Sequence, residues 1–186
     1  TPTRKGPCGT VNLNRLLQEA LNPKAPGKRE ILWGERVFRV GDRIMQTRND
    51  YDVVWQKADG TVGTGMFNGD VGRIVEIDQS GEWLALDFDG RTAPYSTEML
   101  GELDLAYAMT VHKAQGSEYR CVVLATMPSA PSLMVRGVLY TALTRARKLL
   151  VMVGDDAAVR SMAANDKQQK RYSGLKWRLC HAGENG

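Results

Sequence analysis

The apolar positions of this chain fall into three different patterns. Leu13, Leu16, Leu17, Ala20 and Leu21 recur three and four residues apart, one apolar stripe that predicts an amphipathic helix. Asn22-Pro23 ends it, because the residue before a proline is pushed out of the helical region, and Pro23 to Gly27 reads as a linker. From about Val37 to Leu100 the period drops to two. Arg43–Thr47, Asp52–Gln56, Val71–Ile77, Glu82–Phe88 and Arg91–Tyr95 predict short strands, with Leu84, Leu86 and Phe88 on one face. Ala58-Asp-Gly60, Phe67-Asn-Gly-Asp70, Asp78–Gly81 and Asp89-Gly90 supply the turns between them. Five or so antiparallel strands within ~60 residues predict a small β-barrel, whose core takes Trp55, Trp83 and Phe88. The last third alternates strand with helix. An apolar strand (Leu103–Met109) is followed by a polar turn and short helix, a buried strand (Tyr119–Thr126) and a helix (Val135–Ala146). A second buried strand (Leu149–Val153) and a helix (Asp155–Ala164) complete it, the pattern of a parallel sheet flanked by helices. The fold class is therefore α/β, a parallel sheet with flanking helices interrupted by a small antiparallel β-barrel. The divisions fall at 1–34, 35–102, 103–164 and a polar tail at 165–186.

Composition excludes some classes outright. With 42% hydrophobic and 25% charged residues in 186, wholesale disorder is ruled out. No apolar run approaches the ~20 residues that cross a bilayer, and no secretory h-region opens the chain, so no membrane partner is expected. Three cysteines (Cys8, Cys121, Cys180) cannot all pair and form no C-x-x-C, which points to a reducing, cytoplasmic home. The net charge of +4 is unevenly spread: +5 over residues 1–50, −6 over 51–100, +3 over 101–150 and +2 beyond. Basic flanks around an acidic middle permit a polyanionic partner without requiring one.

Candidate chemistry gathers in a few stretches. Thr110-Val-His-Lys-Ala-Gln-Gly-Ser-Glu-Tyr119 and Tyr140-Thr-Ala-Leu-Thr-Arg-Ala-Arg147 resemble motifs V and VI of superfamily 1 helicases, closest to the RecD-like group (the exodeoxyribonuclease V alpha subunit and relatives). Gly41–Tyr51 together with Phe67-Asn-Gly-Asp-Val-Gly72 resembles the barrel insert of that group, and Thr1–Gly6 followed by Leu13–Gln18 its stretch around motif IV. The resemblance implies a RecA-like second motor domain for the parallel sheet and an SH3-like barrel for the insert. It implies ATP-dependent travel along single-stranded DNA, in the 5′-to-3′ direction.

The residues suit that reading. Thr110, His112 and Lys113 offer a hydroxyl, an imidazole and a cation to phosphate oxygens of a nucleic acid, and the resemblance puts Thr110 and His112 on the DNA backbone. It turns Gln115, Gly116 and Glu118 towards the nucleotide, with Glu118 near the ribose; Gly116 lets backbone approach a ligand. Arg145 matches the arginine finger that neutralises charge on the γ-phosphoryl group, a role worth roughly 10³–10⁵ in rate in GTPases. Arginine fits because its planar fork stays charged and binds phosphate bidentately. Arg145 and Arg147 are two residues apart, so on a helix they point in different directions. A second arginine reaching the γ-phosphate is implied near the start of the chain, a place for Arg4 or Lys5. In the barrel, Arg48, Asn49 and Tyr51, with Arg43, are placed along the exiting strand, Tyr51 as a stacking surface; the later acidic strands repel phosphate.

No G-x-x-x-x-G-K-[ST] loop and no Asp-Glu strand end for Mg²⁺ occur in the sequence, and no metal site is expected in it. ATP with Mg²⁺ is therefore expected to be held mainly by an upstream RecA-like domain of the same chain, and this piece alone to be inactive. Other nuclease-helicase subunits are further partners by resemblance. The helicase region of a conjugative relaxase and a non-catalytic nucleic-acid-binding module are the alternatives.

Overall fold

The computed structural model describes residues 1–166; the tail read at 165–186 lies, from Lys167 on, outside the described residues. The chain opens with helix α1 (Thr10–Leu21) and a hairpin of β1 (Glu30–Trp33) and β2 (Arg36–Arg39). Next come β3 (Arg43–Gln46), β4 (Asp50–Gln56), β5 (Val62–Met66), β6 (Val71–Ile77), β7 (Trp83–Phe88) and β8 (Arg91–Ser96). A 3-10 helix (Thr97–Glu102) leads to β9 (Leu103–Leu105). Strand β10 (Tyr119–Thr126), helix α2 (Arg136–Leu143), strand β11 (Ala146–Gly154) and helix α3 (Asp156–Ala164) follow.

Strands β3 to β9 form one antiparallel sheet of seven, in the order β5-β4-β8-β7-β6-β3-β9. Its inward positions (Ile44, Met66, Ile74, Leu84, Leu86, Phe88, Tyr95, Leu103) are fully buried with Phe38 of the hairpin, the alternation read from the sequence. Asp89 and Gly90 both have positive φ (54° and 80°) and join β7 to β8 as a two-residue turn whose twist matches the strands. Gly72 lies so close to the neighbouring strand that a side chain there would press on the carbonyl oxygen of Asp87 and on the ring of Phe88. Trp55 is partly buried against this core, but Trp83, expected inside, is 41% exposed at the outer end of β7.

The remainder is smaller than expected. β10 and β11 pair in parallel, in register from Cys121↔Leu149 to Thr126↔Gly154, and make a sheet of two strands. Helices α2 and α3 cover one face, burying Leu124, Val138, Leu139, Ala142 and Met162. Val123, Leu149, Val151, Met152 and Val153 on these strands stay exposed, so of the two runs read as buried strands β10 buries only Leu124 and Thr126, and β11 has Leu150 partly buried against the helices. Of Leu103–Met109, only Leu103–Leu105 is a strand, and it pairs antiparallel with β3, inside the barrel sheet. The short helix expected after Met109 is a series of turns.

Helix α1 departs most from its pattern. Its buried residues are Thr10, Asn14 and Gln18, not the leucine stripe; Leu16 and Leu21 are exposed. The reason lies in what faces it, which is mainly backbone. Asn14 donates to the Leu105 carbonyl (2.8 Å) and accepts from the Ala108 N–H (2.7 Å). Gln18 donates to the carbonyl of Val37, and Asn22 beyond the helix to that of Val40. A buried backbone group left unpaired costs about 1–3 kcal/mol, so amide side chains win this face over leucines. Two of the three amides belong to one network, because Gln18 and Asn22 also donate to the carboxylate of Asp42 (2.5 and 2.7 Å). No helix among the described residues is long and apolar enough to cross a membrane.

Candidate functional site

The segment from Thr110 to Tyr119 is pinned from both sides. The N–H of Val111 donates to the carbonyl of Thr1, and the Thr110 hydroxyl accepts from the N–H of Lys113. Val111 and Ala114 turn inward, while His112, Gln115, Gly116 and Glu118 are exposed. Gly116 has φ +84°, with open space where a side chain would stand, so a glycine is required by conformation and leaves its backbone approachable. The segment separates two cavities. One, of about 930 Å³, is lined by His112 and Gln115 together with Arg136, Tyr140 and Thr141. The other, of about 440 Å³, is lined by Thr110 and Lys113 together with Arg4, Trp33, Arg36 and Asp104. His112 thus faces the cavity of Gln115, apart from Thr110 and Lys113.

Tyr107, three residues before Thr110, fixes how this segment leaves the barrel. Its hydroxyl donates to Asp42 (2.8 Å), a fully buried carboxylate that also accepts from Gln18, Asn22 and the N–H of Arg39. Burial, then the Asp42 hydrogen bond, pushes the Tyr107 hydroxyl up to about 12. Sequence reasoning missed this hub.

Arg145 lies beyond the last turn of α2 and not on the helix expected over Val135–Ala146, because α2 ends at Leu143, and Arg147 lies in β11. The Arg145 guanidinium folds back to donate to the carbonyls of Thr141 (3.2 Å) and Ser117 (3.0 Å) and to the Thr144 hydroxyl (3.2 Å). Its own carbonyl accepts from the N–H of Tyr119 (2.8 Å). Every one of these acceptors is neutral. Arg147 instead forms an ion pair with Glu118. The two arginines therefore differ in kind: one positive charge is cancelled by a carboxylate, and the other is not. Arg4 forms an exposed ion pair with Asp104 (3.3 Å), an acid it shares with Arg36.

The barrel residues converge on the same segment. Lys113 donates through Nζ to the side-chain oxygen of Asn68, in the turn between β5 and β6, and the Asn68 N–H donates to Asn49 (2.9 Å). Asn49 in turn reaches the hydroxyl of Tyr51 (3.4 Å). Arg48 is exposed next to them in the chain and has no hydrogen bond or ion pair among the described residues. Lys113 is thus linked through Asn68 to Asn49 and Tyr51, far from it in the chain. The Asn-Gly signal marked that turn without indicating what its side chains meet.

Residues 13–88 match the family model for the SH3 domain of ATP-dependent RecD-like DNA helicases, and residues 105–153 that for the UvrD-like helicase C-terminal domain. The chain is 37% identical to an ATP-dependent RecD2 DNA helicase of Deinococcus radiodurans, over 97% of this chain and 23% of that protein. It is 33% identical to the RecBCD enzyme subunit RecD of Mycolicibacterium smegmatis, over 97% of this chain and 28% of the relative. With the RecD subunit of Haemophilus influenzae it shares 29% identity, over 94% and 24% respectively. The chain spans about a quarter of the length of these relatives. Both matched regions and the relatives agree: this chain belongs to the RecD-like helicase family.

Proposed function

We propose that this chain supplies the second motor domain, RecA-like in its β10–α2–β11–α3 part and SH3-like in its barrel, of an ATP-dependent helicase that moves 5′-to-3′ on single-stranded DNA. The observation that carries this reading is the state of Arg145, a guanidinium held only by neutral oxygens beside the Gln115–Glu118 turn. A cation with carbonyl partners gains an anionic acceptor when a phosphoryl oxygen replaces them; Arg147, paired with Glu118, would have to break an ion pair first. Arg145 is the arginine finger in this reading. Gln115, Gly116 and Glu118 line the nucleotide side, and Arg4 reaches the γ-phosphate on exchanging its exposed partner Asp104. Thr110, His112, Lys113, Arg48, Asn49 and Tyr51 hold the DNA strand.

ATP with Mg²⁺ is held mainly by an upstream RecA-like domain of the same protein, where the metal neutralises phosphate charge. The open face of β10 and β11 belongs to the same arrangement, as parallel strands are ordinarily covered on both faces. Partner subunits follow from the relatives named as RecBCD subunits. The test is ATP hydrolysis by the full-length protein with and without single-stranded DNA, in the wild type and in Arg145→Ala. DNA stimulation that Arg145→Ala lowers about 10³-fold, with ATP binding retained, supports the motor reading. Strand binding with no hydrolysis, indifferent to Arg145→Ala, would leave a binding module in its place.

A further inference from the structure

Phe67 and Asn68, in the turn between β5 and β6, have no role in the site as described so far beyond the hydrogen bonds of Asn68. Phe67 stands at 42% exposure beside Tyr51 at 65%, the two rings edge to face with centroids 5.8 Å apart and planes at 75°. The platform is braced rather than loose. The N–H of Phe67 donates to Asp70 (3.2 Å), and Asp70 is held by Arg91 (3.1 Å). Gly69 donates to the carbonyl of Gln46, and the N–H of Gln46 donates to that of Asp70, both at 2.9 Å. Gly65, at φ +93°, lies under the Phe67 ring; a side chain there would come within 3.1 Å of Cζ. Two exposed aromatic faces on a fixed turn, next to a lysine of the Thr110–Tyr119 segment, form a surface for flat apolar groups carried on a polyanion.

We infer that Phe67 and Tyr51 form a base-stacking platform that takes single-stranded DNA from the Thr110–Tyr119 segment onto the barrel, with Asn68 positioning Lys113 at the junction. The inference rests on the single-stranded DNA reading above and adds to it a residue, Phe67, and a division of labour. Lys113 and the exposed Arg48 meet phosphates, while the ring pair meets bases. The charges agree with that division, because Asp50 and Asp52 flank Tyr51 in the chain and make the platform unsuited to phosphate. Stacking tolerates any base, since each has a π-face, so the platform contributes affinity without sequence preference.

The two contributions separate in a salt series. Binding of labelled oligothymidylate to the full-length protein is followed by fluorescence anisotropy at several salt concentrations, alongside an abasic deoxyribose-phosphate strand of equal length. Phe67→Ala is expected to weaken oligothymidylate binding roughly 5- to 150-fold with an unchanged slope of log K against log salt. Lys113→Ala is expected to reduce that slope by about 0.7. On the abasic strand Phe67→Ala and wild type should bind alike. Phe67→Leu, which keeps apolar bulk and loses the ring, should follow Phe67→Ala and decides the matter if the alanine variant fails to fold. Wild-type affinity for oligothymidylate in Phe67→Leu, or an equal loss on the abasic strand, would overturn the platform while leaving the DNA reading intact. Absence of salt-sensitive binding by the wild type would remove both.

Discussion

Replacing Asp42 by alanine is the most informative single perturbation of the framework. Its carboxylate is fully buried and accepts from four donors, Gln18 Nε2, Asn22 Nδ2, the N–H of Arg39 and the Tyr107 hydroxyl, at 2.5 to 2.8 Å. Gln18 and Asn22 each keep a second hydrogen bond, to the carbonyls of Val37 and Val40. The Arg39 N–H and the Tyr107 hydroxyl lose the acceptor they have. The buried Arg39 N–H and the half-buried Tyr107 hydroxyl, left unpaired, cost about 1–3 kcal/mol each, and the half-satisfied amides add less, so Asp42→Ala should destabilise by about 3–5 kcal/mol. At this chain length that corresponds to a fall in Tm of roughly 10 °C. Asp42→Asn, which retains the shape and one acceptor oxygen, should lose about half as much. Urea unfolding of the 186-residue chain, followed by tryptophan fluorescence, measures both. A loss below about 1 kcal/mol for Asp42→Ala would refute the assignment of this carboxylate as the joint between α1, the barrel and the segment that begins at Thr110.

Other consequences follow from the same geometry. Because the Tyr107 hydroxyl is pushed up to about 12, the unfolded chain ionises it first, near pH 10. Stability from this group is therefore complete below pH 10 and lost as pH rises towards 12, a decline that Tyr107→Phe should flatten in urea titrations at stepped pH. Gly72→Ala drives a methyl group against the Asp87 carbonyl and the Phe88 ring, 2.8 Å from Cδ1, and should cost about 1–3 kcal/mol in the same unfolding assay. A neutral result there would mean that β6 and β7 are less closely packed than described.

Much of the barrel was legible in the sequence because its signals are local. Period-two alternation places Leu84, Leu86 and Phe88 inside, and Asp89-Gly90 allows the positive φ that a tight turn demands. The orientation of α1 was not legible, because its leucine stripe announces a helix without saying which face meets the rest of the chain. The four-residue spacing of Asn14, Gln18 and Asn22 was the signal for the buried side, and it gains meaning only once the backbone groups opposite are known. Burial of β10 and β11 was overread, since an apolar run reports a capacity for burial and not the presence of a covering layer. At the site, residue types were readable from the two helicase-like motifs, but partners were not. Nothing local joins Lys113 to Asn68, or distinguishes Arg145 on carbonyls from Arg147 on Glu118. Those are long-range contacts, fixed by how the barrel and the two-stranded sheet are folded.

That last distinction is also the most direct test of the central claim. Single-turnover ATP hydrolysis by the full-length protein on saturating single-stranded DNA should be compared for Arg145→Ala and Arg147→Ala. Arg145→Ala should lower the rate about 10³-fold, close to 4 kcal/mol of transition-state stabilisation, with ATP affinity changed little. Arg147→Ala, which removes only the partner of Glu118, should lower it less than about tenfold, as expected for an exposed pair. Equal losses in both, or the larger loss in Arg147→Ala, would contradict the assignment of Arg145 as the finger.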